Sequence, residues 1–290
     1  MNIIEIFEKF PTQESCFKYL ESIRWTESPI CPYCKAQKSS PMPKESRYHC
    51  NNCMTSFSVT VGTIFHKTHL PLQKWLLAVS LILNAKKGVS SRQLSRDLKV
   101  NKDTAWRISM KIREAMLQKW HRDLLTGIVE MDETFMGGKP RKGKDIHLTR
   151  GRGSEKKTPV VGMVERKGQV RAKPFKRGTL DSKRLSEVVR NNVDIQNTTL
   201  ITDEYRGYMK LKQFIDHQVV DHSIWYVNGD LHTNNIESFW ALLKRGLVGQ
   251  FHKVSIKHLP KYIDEFTYRF NHRKSTANLF NLTIAKGLGV

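Results

Sequence analysis

Cys31 and Cys34 stand in "CPYC" and Cys50 and Cys53 in "CNNC", giving the spacing C-x2-C-x15-C-x2-C. No other feature restricts the fold of the chain as tightly. Each C-x2-C closes a tight knuckle that aims two thiolates at one point, and two knuckles complete the tetrahedron of a structural Zn2+ site. Four thiolates leave no open position for a substrate, so such a metal staples the fold and performs no chemistry. Two disulfides in a secreted module are the alternative use of the same residues. The N-terminus "MNIIEIFEKF" disfavours it, being acidic and amphipathic without the basic start and small-residue cleavage site of a signal peptide. Cys16, the fifth cysteine, is expected to pack inside a helix. After the second knuckle, "SFSVTVGTIF" alternates in period two with β-branched and aromatic residues, which predicts the closing strand of a zinc ribbon.

A chain of 290 residues exceeds what one core usually serves, so two or three units are expected. Its 49 Lys and Arg against 27 Asp and Glu leave a net charge of +22, a surface that attracts polyanions. Nucleic acid is the expected partner. A membrane is not: the longest apolar run, Trp75 to Leu83, is nine residues, far short of a span. A cytoplasmic, nucleoid-associated location in a prokaryote is the corresponding expectation.

From Pro71 to about Lys87, Leu72, Trp75, Leu76, Val79, Ile82 and Leu83 recur at three- and four-residue intervals and mark the buried face of a helix. Gly88 stops it. "SSRQLSRDLKVNKDTAWRISMKIREAM" then offers a Ser cap, a short helix through Leu94 and Leu98, a turn at Val100 and Asn101, and a second helix from Lys102 or Asp103. That is the layout of a helix-turn-helix, which places Ala105, Ile108 and Ile112 inward and Lys102, Thr104, Arg107 and Lys111 outward as candidate DNA contacts.

Beyond it, "TGIVEMDETFMGG" reads as a strand in which Glu130, Asp132 and Glu133 sit among apolar residues. An ionised carboxylate in such a setting is costly unless a cation or donors answer it. Glu130 shares the face of Asp132 by alternation, so residue spacing does not choose between them. A Gly-, Lys- and Arg-rich loop, "GGKPRKGKDIHLTRGRGSEKK", precedes strands at "TPVVGMVERKGQV" and "RAKPF". A helix capped by Asp181 follows, with Leu185, Val188 and Val189 inward. Strands at "TTLITDEYRGY", with Asp203 and Glu204 at its end, and at "HQVVDHSIWYVNGD" lead into "HTNNIESFWALLKRG". In that last helix Glu237 and Lys244 lie nearly two turns apart on one face. A second helix is predicted through Tyr262, Phe266, Tyr268 and Phe270, with Lys and Arg on its polar side. The pattern suits one mixed sheet with helices packed on it.

Asp132 in "VEMDETFMGG", Asp203 in "LITDEYRGY", and Glu237 with Lys244 in "HTNNIESFWALLKRG" resemble the DDE signature of insertion-sequence transposases. The likeness is to the group that joins an N-terminal zinc ribbon to an RNase H-like, retroviral-integrase-like core. Asp203 and Glu237 are 34 positions apart, close to the short gap of that superfamily. The resemblance implies a transposase that binds the ends of its own element and catalyses metal-dependent strand cleavage and transfer to target DNA, working as an oligomer on double-stranded DNA. Asp132, Asp203 and Glu237 would hold Mg2+ or Mn2+, with Asn234 the alternative third ligand. Lys244 would contact a phosphate, and Arg245 beside it is a further DNA contact. The expected architecture is a multidomain α+β and α/β chain. Its parts are an N-terminal helix and zinc ribbon over 1–66, a helix-turn-helix segment over 67–122, and the catalytic domain over 123–290. The rival classes are a zinc-ribbon and helix-turn-helix regulator without catalysis, and an RNase H-like nuclease that cuts without joining.

Overall fold

The computed structural model describes residues 1–117, 123–137, 157–220, 231–274 and 276–290. Most of the basic loop after Gly137, and the "DHSIWYVNGD" part of the predicted last strand, lie outside the described residues. The chain divides into two compact units, Met1–Leu117 with His272–Val290, and Gln118–Asn271.

The first unit opens with α1 (Ile3–Lys9) and α2 (Gln13–Arg24), each started by a capping box, at Asn2 with Glu5 and at Thr12 with Ser15. Such boxes satisfy helix-end amides that would otherwise be orphaned. Cys16 is fully buried on α2, as predicted. A small antiparallel sheet follows, β1 (Ser39–Met42), β2 (Arg47–Cys50) and β3 (Ser56–Phe57). Its third strand is shorter than the alternation of "SFSVTVGTIF" predicts. From Ser58 the chain turns instead, with Val61 N donating to Ser58 O and Thr63 N to Thr60 O. The hydroxyls take part: Ser58 bonds Thr60, and Thr63 Oγ1 donates to Thr60 O. Hydroxyls that bond nearby backbone compete with a ladder, and here they prevail. Arg24 Nη1 reaches across from α2 to Val59 O and Val61 O.

α3 (Leu72–Asn84) is the predicted apolar helix. α4 (Ser91–Leu98) is capped by Ser90 and α5 (Lys102–Ala115) by Asn101, whose side chain accepts from Thr104 N. Leu94, Leu98, Ala105, Ile108 and Ile112 are buried, so the helix-turn-helix layout stands as expected. A terminal helix, Thr276–Leu288, packs on α2, α3 and α5. Its membership in this unit differs from the expected segment 123–290. The sequence "STANLFNLTIAKGLGV" carries few charges, which suits a helix enclosed by neighbours, but nothing in it names which neighbours.

The second unit is built on a five-stranded mixed sheet, RNase H-like. Its strands are β4 (Leu125–Met136), β5 (Thr158–Glu165), β6 (Val170–Pro174), β7 (Val193–Asp203) and β8 (Asp216–Val220). The order is β6-β5-β4-β7-β8, with β4–β5 and β5–β6 antiparallel and β4–β7 and β7–β8 parallel. α6 (Ser182–Asn192), capped by Asp181 as predicted, supplies the crossover into β7. The segment after Asp203 is a 3-10 helix, Arg206–Gln213, tighter than an α-helix. One face of the sheet carries the core of Val129, Met131, Val161, Met163, Leu185 and Leu200 under α6. The other face takes α7 (Asn234–Gly249), which packs on β4 and β5, while α8 (Leu259–Asn271) lies against β6. No helix among the described residues is long and apolar enough to cross a membrane.

Candidate active site and zinc ribbon

In the ribbon, the ligand atoms of Cys31, Cys34, Cys50 and Cys53 all lie within 4.8 Å of one another. Cys31 Sγ is 3.7 Å from Cys53 Sγ, and Cys34 Sγ is 3.5 Å from Cys50 Sγ. A tetrahedron with Zn–S bonds of about 2.3 Å has edges of about 3.8 Å, so the four thiols fit the ion. The knuckles are alike in detail. Lys35 and Met54, each just after a knuckle's second cysteine, adopt left-handed backbone at φ 64° and 55°. Among the described residues this is the group of three or more Cys, His, Asp or Glu gathered so closely.

The acids of the second unit are arranged more openly. β4 and β7 run parallel with Glu130 opposite Ile201, so two residues further along each strand Asp132, inside β4, comes level with Asp203 at the carboxyl end of β7. Ligands of open α/β sheets bind at that end. Asp132 Oδ1 accepts from Glu133 N at 2.7 Å, and its Oδ2 from Trp240 Nε1 at 3.0 Å. Asp203 is 8% exposed and its Oδ1 accepts from Tyr205 N. Glu237, in the first turn of α7, is exposed and accepts from Thr233 Oγ1 at 2.9 Å. Burial, then the negative charge of Asp203, and to a lesser degree that of Glu237, push the Asp132 carboxyl up to about 6. Asp132 therefore feels both of the other acids across the sheet and helix, and the three offer hard oxygen donors. Asn234 stands exposed at the start of α7, and Lys244 and Arg245 are exposed two turns on, with Arg245 Nε donating to Ala241 O.

Glu130 has a different task. It is fully buried, and its Oε2 accepts from the N–H groups of Asn235 and Ile236 at 2.8 and 3.1 Å. Its Oε1 accepts from Asn235 Nδ2 at 2.7 Å and Arg166 Nε at 2.8 Å. Thr233, the residue at the N-cap of α7, makes no side-chain cap bond, and Glu130 fills that role from the strand. A carboxylate at a helix N-terminus satisfies orphan amides and favours the dipole. Arg166 also donates to His232 O at 3.0 Å, tying the approach to α7 to the same point. β4 thus holds the helix of Glu237 through one acid while its neighbour two residues on faces that helix's Trp240.

Trp240 is buried, and its indole N–H also orients Asp132. Gly162, paired with Asp132 across β4 and β5, makes room for it: a Cβ there would lie 2.6 Å from the Trp240 ring. On the opposite face Glu133 is bonded by the Tyr208 hydroxyl. Burial, followed by the Glu133 charge, raises the Tyr208 phenol well above its ordinary value. In the first unit Lys102 and Arg107 are exposed, and Thr104 and Lys111 are half-buried.

Two stretches match known families: residues 124–271 the ISXO2-like transposase domain, and residues 11–56 the transposase zinc-ribbon domain. An uncharacterized protein in transposable element ISH50 of Halobacterium salinarum is 30% identical over 277 residues, covering 90% of this chain and 91% of its own. Among solved structures, the Mos1 transposase paired-end complex with left transposon end aligns at a TM-score of 0.29 and 14% identity, over 73% of this chain and 78% of that one. The mariner Mos1 paired end complex with Mg gives 0.30 and 16%, over 72% and 77%. Both are likenesses too loose to bear on function. The transposase-domain match spans half of the chain and the relative nearly all of it, and the chain belongs to the ISXO2-like transposase family.

Proposed function

We propose that this transposase binds the ends of its insertion sequence and catalyses metal-dependent DNA strand cleavage and strand transfer, with Asp132, Asp203 and Glu237 as the metal-holding acids. The observation that carries this reading is the placement of Asp132 level with Asp203 on adjacent strands and against α7, the helix of Glu237, where burial and the charges of both acids push its carboxyl up to about 6. Hard divalent cations prefer oxygen donors, and Mg2+ or Mn2+ bound there supplies an activated hydroxyl and a stabilised leaving oxygen. The chain's own residues position the parts. Glu130 and Arg166 fix the start of α7, Trp240 orients Asp132, and Lys244, exposed on α7, holds a phosphate near the scissile bond. The ribbon binds structural Zn2+ through Cys31, Cys34, Cys50 and Cys53. Double-stranded DNA is the partner, met by Lys102, Thr104, Arg107 and Lys111 of α5 and by Lys244 and Arg245. Two ends processed together call for a homo-oligomer. Asn234 is the second choice for the third ligand.

The test combines purified protein, an element-end fragment, a target plasmid and Mg2+. Wild type nicks the ends and joins them to the plasmid. Asp132→Asn is expected to retain end binding and lose both reactions; retained strand transfer removes Asp132 from the site. Binding without cutting by wild type indicates a regulator, and cutting without joining a nuclease.

A further inference from the structure

The strap that leads from the ribbon into α3 forms, with α5, a trough of about 430 Å3 within the first unit. Its floor is apolar, with Trp75, Val100 and Ile108. One wall carries His66, Lys67 and His69 and the other Thr104, Arg107 and Lys111. No carboxylate lines it. Lys111 pairs with Glu114 at 3.0 Å, while neither Lys67 nor Arg107 has an ion pair among the described residues.

The strap is held in shape. Phe65 is buried edge-on against Trp75 with ring centroids 5.3 Å apart. Trp75 Nε1 donates to Thr68 Oγ1 at 2.9 Å, which also accepts from Leu70 N at 3.1 Å. His66 N donates to Thr63 O and Thr68 N to Phe65 O. Lys67, at the turn between these bonds, takes left-handed backbone at φ 55° and is exposed.

We infer that this trough seats the phosphodiester backbone of duplex DNA, so that the strap acts as a wing beside α5, contributing Lys67 with His66 and His69 to the grip of Arg107 and Lys111. The inference rests on the DNA-binding reading above and deepens it. Shape favours backbone over bases: base edges lie recessed in a groove, beyond the reach of a concave wall, whereas the backbone is a convex ridge. Charge agrees, because Lys67 and Arg107, which form no ion pair among the described residues, can neutralise phosphates and release counterions, an affinity indifferent to sequence.

The experiment measures binding of the full-length, zinc-loaded protein to a labelled mixed-sequence duplex by anisotropy across a KCl series. Lys67→Gln and Arg107→Gln are each expected to lower the slope of log affinity against log salt by about 0.9, and the pair by about 1.8. Lys18→Gln, at an exposed lysine paired with Glu14 on α2, is the control and leaves the slope unchanged. Zinc content and melting temperature equal to wild type establish folding. An unchanged slope in Lys67→Gln, or a double variant no lower than Arg107→Gln alone, overturns the inference, as does an equal loss from Lys18→Gln. Failure of the broader reading is separate: it shows as wild-type protein that does not bind the duplex at any salt concentration.

Discussion

Replacing Asp132 with Asn should strengthen the fold while abolishing the reaction. In the folded protein the carboxyl titrates near 6, above the ordinary 3.8, because burial and two nearby acids disfavour its charge. For an acid raised on folding, the penalty is absent below the unfolded value and fully present above the folded one. Stability attributable to this group therefore falls as pH rises from about 4 to about 6. The displacement corresponds to about 3 kcal/mol at neutral pH. Asn carries no charge but retains one acceptor oxygen where Asp132 uses two, for Glu133 N and Trp240 Nε1. That loss reduces the expected gain to about 1–3 kcal/mol, or several degrees in melting temperature for a unit of this size. Urea titrations of zinc-loaded, magnesium-free protein at pH 4 and pH 7.5 provide the assay. The two proteins should be nearly equal at pH 4, with the variant more stable at pH 7.5, and added Mg2+ should stabilise wild type alone. A variant no more stable than wild type at pH 7.5 would refute the reasoning that the site stores repulsion.

Gly162→Ala should destabilise by about 1–3 kcal/mol, because the new methyl meets the Trp240 ring and the Ile236 side chain; strand-transfer assays should show a matching loss as α7 is pushed from Asp132. Glu130→Ala, which strips a buried partner from Arg166 and two amides of α7, should cost about 3–5 kcal/mol in urea melts, and Glu130→Gln should recover part of it. Cys34→Ser should lower zinc stoichiometry, measured by metal analysis, and lower the ribbon's own melting temperature, since zinc binding and folding of such a site are one event.

Legibility followed the range of the forces involved. Cysteine spacing, the Ser cap of α4 and the alternation of β4 are local, and each named its element with bounds close to those found, while Asn101, read as a turn residue, proves to cap α5. The helix at Tyr262 and Phe266 was equally readable from its period. β3 ended early because hydroxyl bonds within Ser58–Thr63 are also local but run against the period-two signal that announced a strand. Glu130 and Asp132 show where reading residues alone stops. Both lie on one face of β4, and only the placement of α7, over a hundred positions later, makes one a helix anchor and leaves the other beside Asp203. The donor role of Trp240 was hidden for the same reason, since an indole at helical spacing looks the same whether or not its nitrogen finds a partner. The signal available for Gly162 was only a glycine inside an apolar strand, which marks a close approach without saying of what.

The path of the backbone, leaving the first unit at Leu117 and returning to it at His272, makes the second unit an insertion within its companion. On the ribosome, the ribbon and the paired helices α4 and α5 emerge long before the helix that closes over α2, α3 and α5. The amino-terminal module must therefore wait, incompletely enclosed, while the sheet is synthesised. Proteolytic clipping near the carboxyl end would consequently be felt first at the opposite end of the polypeptide.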